Sequence, residues 1–276
     1  MTKVGFIGAG KVGTALAVKL GEQGYPVVAV ASRSLSSAQK LSRKAVGSQV
    51  YNSGQEVADK AELVFITTPD DQIGPVAASI SWRRGQKVVH CSGAASLDIL
   101  EPARELGAHV GGFHPLQTFA GIDQALENLP GSFFALEGDE EIKEELRKMA
   151  LALNGQCVEL GAGDKALYHL SAVIACNYWV TLVQVATDLW AHFGKDTSQA
   201  LKALLPLLRG TLNNLAQVGL PQARPGPIAR GDVTTIKKHL QVMEEKAPHL
   251  LSLYRELGLH TIPIGKAKGA LSDPGA

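Results

Sequence analysis

Residues 3–14 read KVGFIGAGKVGT and decide the fold of this chain. The apolar residues 3–7 predict a short buried strand, and residues 14–20 predict a helix that follows it. Glycines in the pattern G-x-G-x-x-G allow a tight turn, a close backbone approach to a pyrophosphate, and close helix–strand packing. Strand, glycine turn and helix together predict a dinucleotide site with the phosphates at the helix N-terminus. The turn residues that we expect to bind the cofactor are Gly8, Ala9, Gly10, Lys11, Val12 and Gly13.

The end of the second predicted strand distinguishes the two nicotinamide dinucleotides. A site for NAD usually has Asp or Glu there, roughly 20 residues after the glycines. Here the strand is followed by Ser32, Arg33 and Ser34, and no acidic residue occurs between Glu22 and Glu56. A guanidinium flanked by hydroxyls suits a 2′-phosphate. The pattern therefore favours NADP, although a solvated helix face would have the same composition.

The overall composition is typical of a well-cored globular protein. The chain has 276 residues, of which 45% are hydrophobic and 19% are charged, and its formal net charge is +1. This charge gives no reason to expect nucleic acid or an anionic membrane as a partner. Three cysteines without metal-like spacing predict no metal site and a reducing, cytoplasmic location. The first strand begins so early that we expect no signal peptide before it.

Strands and helices alternate up to about residue 160. Strands are predicted at residues 63–67, 87–90, 109–113, 132–136 and 156–160, and this alternation is typical of a doubly wound parallel sheet. Strand patterns nearly vanish afterwards, and helices are predicted over residues 164–194, 197–218, 232–246 and 248–257. We therefore predict an α/β fold with two domains: a Rossmann-like domain over residues 1–160 and an all-α domain over residues 161–276.

The first helix of the second domain is apolar on most faces. Polar residues interrupt its apolar stretch, residues 170–191, so the stretch predicts a helix buried all round rather than a membrane span. Such a helix suggests a homodimer that buries it between subunits.

Polar segments follow several strands of the predicted sheet. Ligands of open parallel sheets bind beyond the carboxyl ends of the strands, so these segments are expected at one edge. The candidates are Thr67, Thr68 and Pro69 beside the ribose and nicotinamide, Ser92 and Gly93 for a substrate carboxylate, and His114 for a ligand contact. Each group also has a purely structural interpretation, as an ordinary turn or a core histidine.

The helical domain contributes four further candidates. Lys165 and His169 are four residues apart, so they share a helix face and can reach one carbonyl or imine. A partly desolvated lysine can act as general acid or base. Asn177, in an apolar run, needs a polar partner in the protein or a ligand. Arg230, just before the predicted helix cap Asp232, could bind a carboxylate in its own site or in that of a partner subunit. A surface lysine, a packed histidine and a structural salt bridge are the alternatives.

Three motifs resemble a known family. They are GFHPLQTF at residues 112–119, Tyr168-His169, and GPIARGD at residues 226–232. Together with the glycine turn and Lys165, they resemble the 6-phosphogluconate-dehydrogenase-like superfamily. Within it they are similar to a largely uncharacterised group of NADP-dependent oxidoreductases that join a Rossmann-like domain to a C-terminal helical domain of unknown function. In the hydroxyacid and ketopantoate enzymes, asparagine follows the helix lysine by four residues. Here His169 stands there, so their substrate contacts do not carry over.

The resemblance implies hydride transfer between NADP and a small carbonyl, imine or hydroxy acid, and homodimers formed through the helical domain. We therefore predict a cytoplasmic, NADP-dependent oxidoreductase whose small substrate, with a carboxylate, binds between the domains. The predicted proton-transfer residues are Lys165, His169 and His114, and the predicted substrate contacts are Ser92, Gly93, Asn177 and Arg230. Two alternatives stay open: an NADP-binding sensor without turnover, and an oxidoreductase that passes hydride between NADP and a deazaflavin.

Overall fold

The computed structural model describes residues 1–223, 226–267 and 269. It forms two compact units, Met1–Asn177 and Tyr178–Ala276. The first unit extends past the predicted domain boundary at residue 160 and includes the start of the first long helix. The two-domain division at residue 160 stays a prediction.

Eight strands form one sheet in the first unit. They are β1 (Val4–Ile7), β2 (Val27–Ala31), β3 (Gln49–Val50), β4 (Leu63–Ile66), β5 (Lys87–His90), β6 (His109–Pro115), β7 (Phe133–Gly138) and β8 (Gln156–Glu159). Their order in the sheet is β3-β2-β1-β4-β5-β6-β7-β8. The expected α/β fold is confirmed, and the two-residue strand β3 is an addition to the predicted set.

One strand pair departs from the predicted all-parallel sheet. Strands β6 and β7 are antiparallel, with Pro115 opposite Phe134 and Gly112 opposite Glu137. The segment between them therefore leaves and re-enters the sheet at the same edge. Alternation of strands and helices does not encode strand direction, which is why the sequence pattern alone did not indicate this pair.

Twelve α-helices accompany the sheet or follow it among the described residues. The first unit has α1 (Lys11–Glu22), α2 (Leu35–Lys44), α3 (Gly54–Lys60), α4 (Asp70–Ala78), α5 (Glu101–Glu105), α6 (Ile122–Asn128), α7 (Glu140–Ala152) and α8 (Asp164–Ala172). The second unit has α9 (Tyr178–Asp188), α10 (Thr197–Val218), α11 (Val233–Lys246) and α12 (Leu251–Ala267). The predicted cap Asp232 is confirmed, because its carboxylate accepts a hydrogen bond from the Thr235 N–H at 3.0 Å.

The core of the first unit lies on both faces of the sheet. On one face, four phenylalanine rings from neighbouring or nearby strands form a row. The rings of Phe6 and Phe65 stack at 5.1 Å, and those of Phe113 and Phe134 stack at 4.6 Å. All four side chains are fully buried. Because both faces are packed, the carboxyl ends of the strands form a fixed edge on which functional groups can be placed.

The apolar segment Asp164–Phe193 differs from the predicted buried helix. It consists of α8, a π-helical turn over Val173–Asn177, α9 and a 3-10 turn over Leu189–Phe193. Among the described residues it is one helical segment that is long and apolar enough to cross a membrane. Only 6% of its most apolar 18-residue stretch is buried within the chain. The single chain therefore leaves this segment largely uncovered, and its burial between two subunits stays a prediction, because periodicity does not reveal whether the covering surface belongs to the same molecule.

Candidate functional site

The glycine turn lines a cavity of about 460 Å³ at the carboxyl ends of β1, β2 and β4. The structure brings together here these predicted cofactor residues: Gly8, Ala9, Gly10, Ser32, Arg33, Ser34, Thr67, Thr68 and Pro69. The lining residues that were not predicted include Ser37, Asn52, Gly54 and Gln72. They lie on α2, on α4 and around the start of α3, and no short motif marks them.

Two glycines of the turn are required by the protein itself. Gly8 has φ +110, and a Cβ on it would lie 2.6 Å from the carbonyl carbon of Thr67. A Cβ on Gly13 would lie 2.7 Å from Gly8 O. Thr67 fixes the turn to the end of β4, because its hydroxyl donates a hydrogen bond to Gly8 O at 2.8 Å. These two glycines therefore hold the turn against the neighbouring strand end.

Gly10 differs from its two neighbours. Its backbone is extended, with φ −78 and ψ −170, and a Cβ there would find its nearest protein atom, Thr67 O, at 4.0 Å. No protein contact therefore demands glycine at this position. Since Gly10 lies directly before α1 and lines the cavity, the missing side chain leaves room for a ligand at the helix N-terminus.

Serine and threonine hydroxyl groups and the guanidinium of Arg33 also line the cavity that contains Gly10. Ser34 caps α2 and accepts a hydrogen bond from the Ser37 N–H at 3.3 Å, and the Ser37 hydroxyl lies 3.1 Å from the Ser34 hydroxyl. Arg33 is exposed beside them, and the first turn of α2 has no acidic residue. The Thr68 hydroxyl oxygen is buried without a hydrogen-bond partner among the described residues. This arrangement suits a phosphorylated ribose, whose oxygens would accept from these donors.

A second cavity, of about 580 Å³, lies beside the start of α1 within the first unit. Its lining contains the predicted residues Lys11, Val12, His114, His169 and Asn177. The cavity thus connects the last part of the glycine turn to the histidines that were predicted for the substrate. Lys11 is held at its edge, because its ammonium group donates to Phe119 O at 3.0 Å.

Two histidines converge on one glycine. A Cβ on Gly93 would lie 2.7 Å from His114 Nε2 and 2.9 Å from His169 Cδ2. His114 Nδ1 lies 2.8 Å from the hydroxyl oxygen of Tyr168, a residue that was not among the predicted site residues. Any residue larger than glycine at position 93 would displace these imidazoles, so the turn after β5 is fitted to the histidine pair.

The Ser92 hydroxyl is fully engaged within the protein. It donates to an Asp70 carboxylate oxygen at 2.7 Å and accepts from the Ala94 and Ala95 N–H groups at 3.1 and 2.9 Å. A hydroxyl has one hydrogen to donate and two lone pairs, so no capacity remains for a substrate carboxylate in this state. Here Ser92 orders the turn that presents Gly93. Asp70, the first residue of α4, directly follows the predicted Thr67, Thr68 and Pro69 but was not among the predicted site residues.

Lys165 forms a buried ion pair with Glu137. The exposed fractions of their side chains are 5% and 9%. Glu137 lies on β7 opposite Gly112 of β6, and a Cβ on Gly112 would lie 2.9 Å from the Glu137 Oε2 atom. The lysine ammonium is therefore directed to a carboxylate and is not among the groups that line the second cavity. Glu137 was not predicted, although an acidic residue in the apolar strand FFALEG is unusual and could have signalled it.

Two histidines near this ion pair, the buried His90 and the half-buried His114, are held neutral. Burial, followed by the positive charge of Lys165, lowers the pKa of His90 to about 3. Burial, then Lys165 and His169, lowers the pKa of His114 to about 4. His90 Nδ1 accepts from the Ser92 N–H at 3.2 Å, whereas its Nε2 atom has no hydrogen-bond partner among the described residues.

These lowered pKa values predict that the protein loses stability in mild acid. Unfolded histidine has a pKa near 6.5, so below that pH the unfolded chain binds more protons than the folded one. The free energy of unfolding is expected to fall as the pH drops from about 6.5, by up to ~1.4 kcal/mol per pH unit for each histidine, levelling only near their folded pKa values. Urea unfolding at pH 7, 6 and 5 measures this slope. His90→Asn, which keeps an acceptor for the Ser92 N–H, should remove the His90 share, and an unchanged slope would contradict it.

Arg230 belongs to the second unit. It ends a 3-10 turn over Ile228–Arg230 and is exposed, and its charge contributes to the lowered pKa of Asp232 after the hydrogen bonds from Thr235. Its role as a carboxylate anchor stays a prediction. Among the described residues, no group of three or more His, Cys, Asp or Glu side chains is placed to hold a metal ion.

Two families match parts of this chain. Residues 1–115 match a Rossmann-like domain, and residues 132–261 match a domain of unknown function, DUF2520. No curated protein sequence matches the chain.

Solved structures resemble the chain over nearly its whole length. A Bacteroides fragilis protein described as a candidate NADP oxidoreductase is 25% identical, with 95% of this chain and 97% of that chain covered and a TM-score of 0.74. A Thermotoga maritima protein is 24% identical, with 96% and 99% covered and a TM-score of 0.77. A reductive aminase from Aspergillus terreus, solved with NADPH and ethyl levulinate, is 20% identical, with 95% and 94% covered and a TM-score of 0.67.

Proposed function

Because the chain joins a Rossmann-like domain to a DUF2520 domain, we propose that it is an NADP(H)-dependent oxidoreductase acting on a small carbonyl, imine or hydroxy acid. The observation that carries this proposal is the cavity at the glycine turn. There, the missing side chain of Gly10 leaves space for a phosphate at the N-terminus of α1. Arg33, Ser34 and Ser37 line the part of the cavity proposed for the ribose, and the first turn of α2 beside them has no acidic residue. The cofactor named for the Bacteroides and Aspergillus relatives supports the choice of NADP.

The residues of the cavity fit the parts of this cofactor in order. The N–H groups at the start of α1 would face the pyrophosphate, while Arg33, Ser34 and Ser37 would receive the 2′-phosphate. Thr68, whose hydroxyl oxygen is buried without a partner among the described residues, would meet a ribose hydroxyl on the nicotinamide side. When bound, NADPH supplies the hydride, and the protein has to bind and orient the substrate and supply the proton.

We place the substrate in the second cavity, next to Lys11 and Val12 of the same turn. Reduction of a C=O or C=N group forms a C–H bond with the hydride and needs one proton for the oxygen or nitrogen. His169, which lines this cavity, is our first candidate for the group that supplies this proton, and Lys165, which pairs with Glu137 and does not line the cavity, is the second. His114, neutral because of its low pKa, would instead hydrogen-bond the substrate. Gly93 and Asn177 are proposed as contacts for a substrate carboxylate, and Ser92 would act by shaping the turn.

Cofactor titration tests this proposal. NADPH and NADH are titrated into the purified protein and nicotinamide fluorescence is followed, for the wild type and for Arg33→Ala. We expect NADPH to bind at least about tenfold more tightly than NADH, which corresponds to ~1.4 kcal/mol, because only NADPH has the 2′-phosphate. Arg33→Ala should remove most of this preference.

Arg43→Ala is the matched control, because Arg43 lies in the last turn of α2 and does not line the cavity. It should keep the wild-type preference. If neither cofactor binds, the proposed function is wrong. If NADPH binds tightly but is not oxidised by any of a panel of small ketones, oxo acids and cyclic imines, the sensor alternative replaces the enzyme.

We further propose that two copies of the chain associate through the exposed apolar segment Asp164–Phe193. Leu167 is 73% exposed and Val180 is 67% exposed, and water contact of this extent along one segment is unfavourable. Sedimentation at micromolar concentration should show a dimer for the wild type and a monomer for Val180→Glu, with Lys202→Glu, at an exposed position on α10, as the control. A monomeric wild type, or recovery of the protein with membranes, would contradict this proposal.

A further inference from the structure

We propose that Tyr168 is a positioning residue that fixes the tautomer of His114, so that His114 offers an Nε2–H group to an acceptor oxygen of the substrate. This inference rests on the proposed function, because it assigns the chemical role of one side chain in the substrate cavity. It also names the substrate feature that this side chain would recognise, a carbonyl or carboxylate oxygen.

The two rings are arranged for a directed hydrogen bond. His114 lies near the end of β6 and Tyr168 lies on α8, and the tyrosine hydroxyl oxygen is 2.8 Å from His114 Nδ1. The ring centroids are 5.6 Å apart and the planes meet at 89°. Both side chains are half-buried, so water does not compete freely for either group.

The chemistry of the two groups decides which of them donates. A phenol hydroxyl is a stronger donor than the N–H of a neutral imidazole, and an unprotonated imidazole nitrogen is a stronger acceptor than a phenol oxygen. Burial, followed by the negative charge of Glu137, raises the pKa of Tyr168 to about 12, so the phenol keeps its proton. The hydroxyl therefore donates to Nδ1. Since His114 is neutral at physiological pH, its single ring proton then resides on Nε2.

The Nε2 atom of His114 lies on the side of the ring that faces Gly93 and His169. It lies 2.7 Å from the position that a Cβ on Gly93 would occupy, beside the imidazole of His169. His114 and His169 both line the second cavity. The other charged or titratable groups that act on His114 are Lys165 and Asp70, and each is already engaged, with Glu137 and with the Ser92 hydroxyl respectively.

This assignment separates the roles of the two histidines. An Nε2–H group on a neutral imidazole is a hydrogen-bond donor that does not give up its proton readily. His114 would thus recognise and polarise a substrate oxygen, and the proton for the reaction would come from another group. The tyrosine hydroxyl acts only through His114, which is why we describe Tyr168 as positioning.

Nuclear magnetic resonance of the histidine ring nitrogens tests this inference without cofactor or substrate. Protein labelled with ¹⁵N-histidine is recorded at pH 7 with long-range ¹H–¹⁵N correlation, and His114→Asn identifies the His114 signals. We expect the wild type to show the Nε2–H tautomer, and Tyr168→Phe to shift both nitrogen signals towards a mixture of tautomers. A wild type with the proton on Nδ1, or an unchanged tautomer in Tyr168→Phe, would overturn the proposal.

The chain contains a matched control for this measurement. In the second unit, His239 Nδ1 lies 2.9 Å from the hydroxyl oxygen of Tyr254, with the rings at 81°. Tyr254→Phe should change the His239 signals and leave those of His114 unchanged. If Tyr168→Phe does not fold, wild-type protein labelled with 3-fluorotyrosine serves instead. Its more acidic hydroxyl should shift the Nδ1 signal of His114 while keeping the proton on Nε2, and an unchanged signal would count against the proposal.

These outcomes are independent of the cofactor titration. The tautomer can be fixed as proposed in a protein that does not bind NADPH, in which case the proposed function fails and the hydrogen bond stands. Equally, NADPH can bind with the expected preference while His114 has the other tautomer, and then only the inference about Tyr168 is overturned.

Discussion

Replacing Glu137 with glutamine is expected to lower the free energy of unfolding by about 3–5 kcal/mol. The side chain keeps its shape, but the ammonium group of Lys165 is then buried without a counter-charge. The exposed fractions of 5% and 9% leave little water to solvate either partner. Removing one member of such a pair costs far more than the pair itself contributes.

A double-mutant cycle separates the pair from its surroundings. Glu137→Gln, Lys165→Met and the double variant are unfolded with urea at pH 7. Both single variants should be strongly destabilised, and the double variant should recover much of the loss because no unpaired charge remains. Lys148 provides the control, because its pair with Glu144 is exposed to solvent, and Lys148→Met should change stability by less than about 1 kcal/mol. Additive losses in the double variant would mean that the pair is not coupled.

Alanine substitutions within the glycine turn should separate folding from cofactor binding. At Gly8, alanine would be forced to φ +110 with its Cβ against the backbone of Thr67, so we expect a loss of about 2–5 kcal/mol in stability. At Gly10 the backbone is ordinary and the nearest atom is 4.0 Å away, so stability should change by no more than about 1 kcal/mol.

The second substitution is the informative one for function. If a pyrophosphate approaches the backbone at Gly10, the added methyl group of Gly10→Ala should weaken NADPH binding by about tenfold or more. Thermal unfolding and NADPH titration of both variants measure the two effects separately. Gly47→Ala is a control for a positive-φ glycine with open space around it, remote from the cavity lining. Unaltered NADPH affinity in Gly10→Ala would show that the cofactor does not pass this point.

The residues that we propose for the cofactor could be predicted from the sequence because their arrangement depends on local geometry. The spacing of Gly8, Gly10 and Gly13 encodes a turn within one strand–helix unit, and Arg33 follows the next strand directly. The edge rule for parallel sheets then places Thr67 beside them without knowledge of any side-chain contact. In the structure, Gly8, Gly10, Arg33 and Thr67 line one cavity, and Gly13 packs behind them against Gly8 and Thr67.

The residues that we propose for the substrate could be predicted only in part, because the contacts among them cross long stretches of chain. Glu137 meets Lys165 through the antiparallel pairing of β6 and β7, and strand direction is not written in the periodicity of either strand. Tyr168 was noted in the sequence only as the neighbour of His169. Its proposed effect on His114 depends on the hydrogen bond between the two side chains, and the spacing of residues along the chain does not predict that contact. The cover of the apolar helix stays a prediction for a different reason: a hydrophobic pattern indicates that a helix face needs to be covered, and not which molecule covers it.

The close approach of Gly112 to Glu137 has a consequence for relatives of this protein. The side chains or spaces at three positions, Gly112, Glu137 and Lys165, depend on one another. The Glu137 carboxylate is paired with the Lys165 ammonium, and it has room only because Gly112 on β6 has no side chain. Such positions are expected to change together during evolution. A homologue without an acidic residue at the position of Glu137 no longer needs glycine at the position of Gly112. Joint substitution at these three positions in an alignment would therefore distinguish homologues that keep the buried ion pair from those that have replaced it.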